Sequence, residues 1–208
     1  MYQKDPCLSV DRSPHSPHNI IPALIKKKAV VLDVGCNTGF LGKRLRKRGN
    51  LTDGVDINKA SLAEARKYYR RVYVKDLSKE KLGLNKNLYD YIIFSDILEH
   101  LPRPDLLLLD SKKYLKKRGQ IIVSLPNIAR LEIRLKLLLG CFNYQPGILG
   151  EDHLRFYTRK SALVMLQNCG YQVLEVIPTG LGHTIKILPT LFAFQFIYVC
   201  SKNTQQTD

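Results

Sequence analysis

Residues 31–39 read Val-Leu-Asp-Val-Gly-Cys-Asn-Thr-Gly, and this stretch decides the fold. Residues 29–34 form an apolar run that indicates a buried parallel strand. Residues 38–48 have the apolar spacing of a helix, which Gly49 ends. Glycines in the turn between strand and helix let a ligand approach the backbone closely. Because ligands of open α/β sheets bind at the carboxyl ends of parallel strands, the stretch predicts a ligand-binding turn.

Two acids give this turn a negative charge. Asp33 stands two residues before the first glycine, and Asp56 lies in the next predicted strand, residues 51–57. The spacing departs from the G-x-G-x-x-G of dinucleotide folds, and Asp33 would repel a pyrophosphate. A carboxylate at Asp56 can accept both hydroxyls of a ribose. The pair favours a cationic nucleoside such as S-adenosylmethionine over a nucleotide redox cofactor, with a purely structural turn as the other alternative.

Predicted strands and helices alternate along the chain, which is typical of a parallel sheet covered on both faces. Further strands are predicted at 72–75, 89–95, 119–125, 171–177 and 193–200, and further helices at 19–25, 59–69, 105–115 and 159–168. We expect an α/β, Rossmann-like fold with a seven-stranded sheet whose last strand is antiparallel. Residues 1–18 are predicted to be an irregular arm, 19–202 a single domain with an insertion at about 129–157, and 203–208 a tail.

The later predicted strands also end in polar residues. With the turn at 31–39, these residues resemble the class I S-adenosylmethionine-dependent methyltransferases over about residues 20–200. The resemblance implies S-adenosyl-L-methionine as cofactor. The residues that it assigns to the cofactor are Asp33, Gly35, Cys36, Asn37, Gly39, Asp56, Ile57, Asp76, Leu77, Ser95 and Asp96. Asn37 stands where the family commonly has glycine, and asparagine tolerates a left-handed backbone better than most residues.

Two histidine-bearing strings follow the fourth and fifth strands. Residues 98–101 read Leu-Glu-His-Leu, and residues 152–158 read Asp-His-Leu-Arg-Phe-Tyr-Thr. Both resemble a subgroup that includes quinone-pathway O-methyltransferases and methyltransferases of cell-surface glycan or lipid clusters. Histidine is suited to accept the proton of a hydroxyl near neutral pH. His153 is therefore the first candidate for a general base and His100 the second, with a structural role as the alternative for each.

The second string also supplies candidate substrate contacts. Arg155 can hold an acidic group of the acceptor, or it can pair with Asp152 or Glu151, and Tyr157 is a second candidate contact. Thr158 precedes the predicted helix at 159–168 and is expected to cap its N-terminus.

The chain of 208 residues is strongly basic, with 33 Lys and Arg against 18 Asp and Glu and a formal net charge of +15. The basic residues cluster at 26–28, 43–48, 70–71, 112–118 and 130–136. This excess favours an anionic partner, which could be nucleic acid, an acidic lipid surface or a phosphorylated substrate. The alternative is a set of solvated basic helix faces.

The segment near residues 131–139 interleaves leucines with Arg and Lys, as in helices that lie on anionic membranes. A dimer face and a cover for the active site are the alternatives. The five cysteines contain no CxxC pair, so we predict neither a disulfide framework nor a zinc site, and no metal ligand set. With neither a signal-peptide core nor an apolar run of transmembrane length, we expect a cytoplasmic protein, peripheral to the membrane if the leucine helix binds lipid.

These patterns predict an enzyme that moves a methyl group from S-adenosylmethionine to a small-molecule or lipid-linked acceptor, chiefly at oxygen. One alternative is an RNA methyltransferase or one that acts at nitrogen or carbon, although residues 95–98, Ser-Asp-Ile-Leu, differ from the Asn/Asp-Pro-Pro-Tyr/Phe string of many base-methylating enzymes. The other is a cofactor-binding partner subunit without catalysis. The sequence identifies neither the acceptor nor the oligomeric state.

Overall fold

The computed structural model describes residues 14–145, 147–184 and 187–203. Its centre is a sheet of seven strands in the order β3-β2-β1-β4-β5-β7-β6. The strands are β1 Val30–Val34, β2 Leu51–Asp56, β3 Arg71–Val74, β4 Tyr89–Ser95, β5 Leu115–Pro126, β6 Tyr171–Pro178 and β7 Gln195–Lys202. Strand β7 runs antiparallel between β5 and β6, and the pairs from β3 to β5 are parallel. The predicted sheet with an antiparallel last strand is confirmed.

Helices flank the sheet. The described helices are α1 Pro17–Leu24, α2 Phe40–Lys47, α3 Lys59–Ala65, α4 Pro104–Ser111, α5 Leu131–Leu138, α6 Arg159–Asn168, α7 Leu181–Thr184 and α8 Pro189–Phe192. Thr158 caps α6 as predicted, through reciprocal bonds with Ser161. No helix among the described residues is both long and apolar enough to cross a membrane.

Several predicted boundaries were wrong. Helix α3 ends at Ala65 rather than Tyr69, because the Tyr69 side chain turns inward and bonds to Asp33. The helix predicted at 105–115 ends at Ser111, and β5 begins at Leu115, four residues earlier than predicted, because Leu115 pairs with Tyr89 across an irregular register. The predicted arm at 1–18 already includes the start of α1; its residues 1–13 lie outside the described residues.

Alternate residues of the central strands bury their side chains on opposite faces of the sheet. Leu32 and Val34 belong to the main core, which packs beneath α4 and α6, whereas Val31 faces a second core beneath α1 and α2. Burial on both faces explains why the strand at 29–34 reads as a continuous apolar run. It also fixes the turn after β1 at the edge of a rigid sheet.

Candidate active site

The turn after β1 adopts a conformation that most side chains would not tolerate. Gly35 and Gly39 have φ angles of +78° and +89°. A Cβ at Gly39 would lie 3.1 Å from the Cα of Ala65, and one at Gly35 would lie 3.1 Å from the Ile97 side chain. The amides of Gly35 and Cys36 bond to the Val55 carbonyl at 2.8 and 3.0 Å, which ties the turn to β2. Both glycines are therefore required by backbone and space.

Asn37 fits the position where the family commonly has glycine. Its φ angle is +45°, in the left-handed region that asparagine tolerates. Its amide donates to Asp56 Oδ2 at 2.8 Å, and the amide of Asn58 donates to Asp56 Oδ1, also at 2.8 Å. The Asn58 side chain in turn caps α3. Asp56 thus joins the first turn to the start of α3, and its half-buried carboxylate keeps further lone pairs for a ligand.

Asp33 lies beneath the same turn. Its side chain is 1% exposed, and its Oδ2 accepts a hydrogen bond from the Tyr69 hydroxyl at 2.5 Å. Burial, and to a smaller extent the nearby charge of Asp56, raise the pKa of Asp33 to about 7, against the lowering effect of the Tyr69 bond. Sequence reasoning missed Tyr69, which also accepts from the Gly42 amide at 3.1 Å. One oxygen of Asp33 is therefore committed to the protein.

The candidate cofactor contacts that follow β2 and β3 differ in their surroundings. Ile57 is 61% exposed, so an apolar surface stands directly beside Asp56. Asp76 accepts bonds from the amide and hydroxyl of Ser78 and pairs with Lys79 at 3.0 Å. The Ser78 hydroxyl, followed by Lys79, holds the pKa of Asp76 below its ordinary value. Leu77 packs against the main core.

The end of β4 carries a network of polar side chains that reaches three strands. Ser95 Oγ lies 3.3 Å from Ser124 Oγ of β5, and Ser124 Oγ donates to Asp96 Oδ1 at 2.8 Å. The Gln195 amide of β7 donates to the same oxygen. Asp96 itself has a φ angle of +52°. Sequence reasoning missed Gln195, since nothing in its local sequence signals a contact with a residue 99 positions away.

The two candidate bases lie together next to this network. The rings of His100 and His153 are 4.7 Å apart and meet edge to face. His100 follows Glu99 in a short 3₁₀ turn, Leu98–His100, whereas His153 comes from the insertion between β5 and α6. The Glu99 carbonyl accepts from the amides of Leu154 and Arg155 at 2.9 and 3.0 Å, which fastens the insertion to the turn. Burial lowers the pKa of His153, as does the neighbouring His100.

A buried carboxylate completes the group. Glu99 is 1% exposed, and neither carboxylate oxygen has a hydrogen-bond partner among the described residues. Burial, followed by the charge of Asp96, raises the pKa of Glu99 well above its ordinary value. Burial also raises the pKa of Asp96. The charges of three nearby histidines act in the opposite direction and lower the pKa of Asp96: His18, His100 and His153. His18 belongs to α1, so the start of the domain also faces this site.

The predicted substrate contacts lie at the rim. Arg155 pairs with neither Asp152 nor Glu151; its guanidinium donates to the Pro102 carbonyl at 2.5 Å while its side chain stays exposed. Tyr157 is 8% exposed and packs in the main core, where its backbone joins Asn127 in a β-bridge. The pairing proposed for Arg155 was therefore wrong, and Tyr157 is largely enclosed by the core, so that its contact with substrate stays a prediction.

Comparison with known proteins decides the class of the chain. The profile of the methyltransferase domain family matches residues 12–176. The chain belongs to this methyltransferase family. It is 29% identical over 167 residues to the ubiquinone biosynthesis O-methyltransferase of Histophilus somni, covering 71% of this chain and 69% of that protein. It is 30% identical over 165 residues to the protein of the same name from Pasteurella multocida, covering 68% of each.

Solved structures confirm the fold. The methyltransferase superposes on magnesium protoporphyrin IX methyltransferase from Synechocystis, crystallised with S-adenosylhomocysteine, with a TM-score of 0.69 and 17% identity, over 97% of this chain and 90% of that one. Family and fold together establish a methyltransferase enzyme that uses S-adenosyl-L-methionine. The predicted enzyme class and cofactor are confirmed, and the alternative of a partner subunit without catalysis is not supported.

Proposed function

We propose that this methyltransferase moves the methyl group of S-adenosylmethionine to a hydroxyl oxygen of a small or lipid-linked acceptor. The observation that carries the proposal is the contact between His153 and His100, which follows β4, the strand that pairs with β1. Two imidazoles that meet there can help to remove the hydroxyl proton. The O-methyltransferase names of the relatives support oxygen as the acceptor atom.

The residues around the first turn fit the cofactor. The cofactor supplies a methyl group bound to a positively charged sulfur. A nucleophile in line with the carbon–sulfur bond attacks the methyl carbon, and the sulfur leaves. We propose that the backbone at Gly35 and Gly39 holds its methionine part, because side chains are excluded there. Asp56 holds the ribose through lone pairs that its two backbone bonds leave free. Ile57, exposed beside Asp56, packs against the nucleoside.

The protein's own contribution is positioning and proton removal. His153 Nδ1 lies 3.0 Å from the Ile148 carbonyl, and His100 Nδ1 lies 3.1 Å from the Asp152 carbonyl. Since a carbonyl only accepts, each Nδ1 carries a hydrogen, and in a neutral ring Nε2 then keeps the lone pair. The acceptor approaches these lone pairs from the side of the insertion, where the exposed Arg155 can contact an acidic substituent.

Substitution of either histidine should lower methyl transfer to oxygen. His153→Ala and His100→Ala are each expected to reduce kcat/KM by roughly 10²- to 10⁴-fold, because the hydroxyl would lose assistance in ionising. The measurement is transfer of labelled methyl from S-adenosylmethionine to a panel of a prenylated catechol, its amine analogue and an RNA. His183→Ala is a matched control, since its Nδ1 also contacts the carbonyl five residues back, Pro178, but its ring stacks on His15.

The panel separates the proposal from its rivals. Labelling of the catechol that depends on both histidines supports the proposal. Labelling of the amine or the RNA alone would establish the rival function and contradict it. Equal loss in the His183 variant would show that the histidine effect is not specific to the site.

An exposed leucine-rich face supports a lipid-linked acceptor. Helix α5 buries only Ile133 among its residues. The exposed apolar side chains on and after α5 are Leu131, Leu135, Leu137, Leu138, Leu139, Phe142 and Tyr144, with Leu138 and Leu139 82% and 78% exposed. Basic residues alternate with them at Arg134 and Lys136. Such apolar exposure rimmed by cations favours an anionic lipid surface, so we propose that the enzyme docks there.

Vesicle sedimentation tests this docking. Leu138→Gln combined with Leu139→Gln should weaken binding to phosphatidylglycerol vesicles by roughly 10- to 100-fold, because each buried leucine contributes on the order of 1 kcal/mol. Leu106→Gln with Leu109→Gln is the control, as both leucines are exposed on α4, at 53% and 47%. Wild-type binding should weaken with added salt. Equal binding to phosphatidylcholine vesicles, or a salt-stable dimer that the α5 variant abolishes, would contradict the proposal.

A further inference from the structure

Three side chains bring potential metal ligands together after β4. Glu99, His100 and His153 each place one ligand atom within 4.8 Å of the other two. Glu99 and His100 are neighbours in the chain, whereas His153 arrives from the insertion. The backbone bonds from Leu154 and Arg155 to the Glu99 carbonyl hold the insertion in this place. The cluster is therefore built by tertiary structure and not by sequence proximity alone.

The Glu99 carboxylate is buried without a partner in the part of the chain that the structure describes. It is 1% exposed, and neither oxygen has a hydrogen-bond partner among the described residues. Within those residues, no Lys or Arg forms an ion pair with it. Buried carboxylates are ordinarily paired or bound to a metal. Both oxygens of Glu99 are thus available to a cation that enters beside the histidines.

The histidines are oriented as metal ligands usually are. Each Nδ1 contacts a backbone carbonyl, at 3.0 Å from His153 to Ile148 and 3.1 Å from His100 to Asp152. This arrangement fixes the ring and directs the lone pair to Nε2, as the outer hydrogen bonds of metal-bound histidines do. His100 Nδ1 also lies 3.3 Å from the Asp152 carboxylate, which makes the ring a stronger electron-pair donor to a metal.

We propose that Glu99, His100 and His153 bind a divalent cation of the zinc type at the acceptor side of the active site. Two imidazoles and one carboxylate suit a first-row transition metal better than Mg²⁺. The same composition, with a fourth position open, occurs in catalytic zinc sites. Zinc bonds of about 2.0–2.1 Å require ligand atoms roughly 3.3 Å apart, which separations within 4.8 Å allow after small side-chain movements.

The proposal deepens the proposed function and rests on it for its catalytic part. A cation at this place lowers the pKa of an acceptor hydroxyl that contacts it. The hydroxyl proton then leaves to solvent, and the oxygen forms a bond to the methyl carbon. The bond from that carbon to sulfur breaks, and its electron pair stays on sulfur, which gives S-adenosylhomocysteine. With the cation bound, His153 and His100 promote the loss of the hydroxyl proton as ligands of the cation rather than by accepting the proton directly.

Direct binding of zinc to the full chain tests the site without cofactor or acceptor. Metal-stripped protein carrying Cys141→Ser, which removes an exposed thiol, is titrated with Zn²⁺ by calorimetry, and Co²⁺ provides a visible spectrum that reports ligand geometry. We expect one Zn²⁺ per chain. Glu99→Gln and His153→Ala should each weaken binding by roughly 10²-fold or more, and His183→Ala should leave it unchanged. Circular dichroism in chelator establishes that the variants fold.

The outcomes separate this proposal from the proposed function. Absence of stoichiometric zinc binding, or equal affinity in Glu99→Gln, would overturn the metal site. Zinc binding that needs Glu99 and His153 supports it even if no hydroxyl acceptor is labelled, in which case only the proposed function fails. Full O-methylation by zinc-free protein would uphold the proposed function and overturn the catalytic role of the cation.

Discussion

Asp56→Ala is expected to weaken the binding of S-adenosylmethionine by roughly 10²- to 10³-fold. A charged carboxylate that accepts two ribose hydroxyls contributes about 3–4 kcal/mol, taking about 1.5–2 kcal/mol for each charge-assisted bond. The substitution also removes the acceptor for the amides of Asn37 and Asn58, which lie 2.8 Å from its two oxygens. The first turn would then lose its connection to α3. Calorimetric titration with cofactor and with S-adenosylhomocysteine measures the effect.

Asp56→Asn separates the ribose contact from support of the turn. Asparagine keeps the size of the side chain and one oxygen that can accept from Asn37, but it loses the charge and one acceptor. We expect Asp56→Asn to lose about half of the cofactor-binding free energy that Asp56→Ala loses. Its melting temperature should also fall less than that of Asp56→Ala. Unchanged cofactor affinity in Asp56→Ala would refute the ribose role. Equal affinity loss and equal destabilisation in both variants would instead make Asp56 a residue that only supports the turn.

The sequence predicted those parts of the site whose interactions are local or periodic. The apolar run of β1, the glycine turn and the Thr158 cap each depend on residues a few positions apart. Asp56 was predictable because the carboxyl ends of β1 and β2 must meet in a parallel sheet, and Asp33 is paired with Gly54 in the observed register. The backbone at Asn37 follows the same logic, since few other residues replace glycine there.

Contacts between distant segments could not be predicted from one sequence. Gln195 reaches Asp96 only because β7 enters the sheet beside β5, and the hydroxyl of Tyr69 bonds to Asp33 across 36 positions of the chain. Both histidines were singled out, but their contact depends on how the insertion folds over the turn at Glu99. The cation site that we propose illustrates the same limit: a search for cysteine spacing does not bring together a glutamate and two histidines that lie on separate segments.

Asp33→Asn is expected to stabilise the protein while it weakens cofactor binding. The pKa of Asp33 is raised to about 7, chiefly by burial, so the folded state holds a proton that the unfolded chain releases near pH 4. Folding therefore becomes less favourable as pH rises from about 4 to 7, and the loss persists above pH 7. The full difference between the folded and unfolded pKa of Asp33 corresponds to roughly 4 kcal/mol of unfolding free energy, of which we expect about 1–3 kcal/mol to be measurable.

Asparagine removes this penalty and keeps an oxygen that can accept from the Tyr69 hydroxyl. The gain in the free energy of unfolding, measured by denaturant titration, should thus be larger at pH 8 than at pH 5. A gain that is equal at both values would contradict the burial argument.

Cofactor binding should respond in the opposite sense. A positively charged ligand beside the turn favours the ionised form of Asp33, so wild-type affinity should rise between pH 6 and 8, and the variant should lack this part of the rise. Tyr69→Phe is the matched control: it removes the bond that lowers the pKa of Asp33 and should move the wild-type transition to higher pH. If Asp33→Asn leaves both the affinity and its pH dependence unchanged, Asp33 supports the turn without acting on the ligand's charge. The preference for a cationic nucleoside would then rest on Asp56 alone.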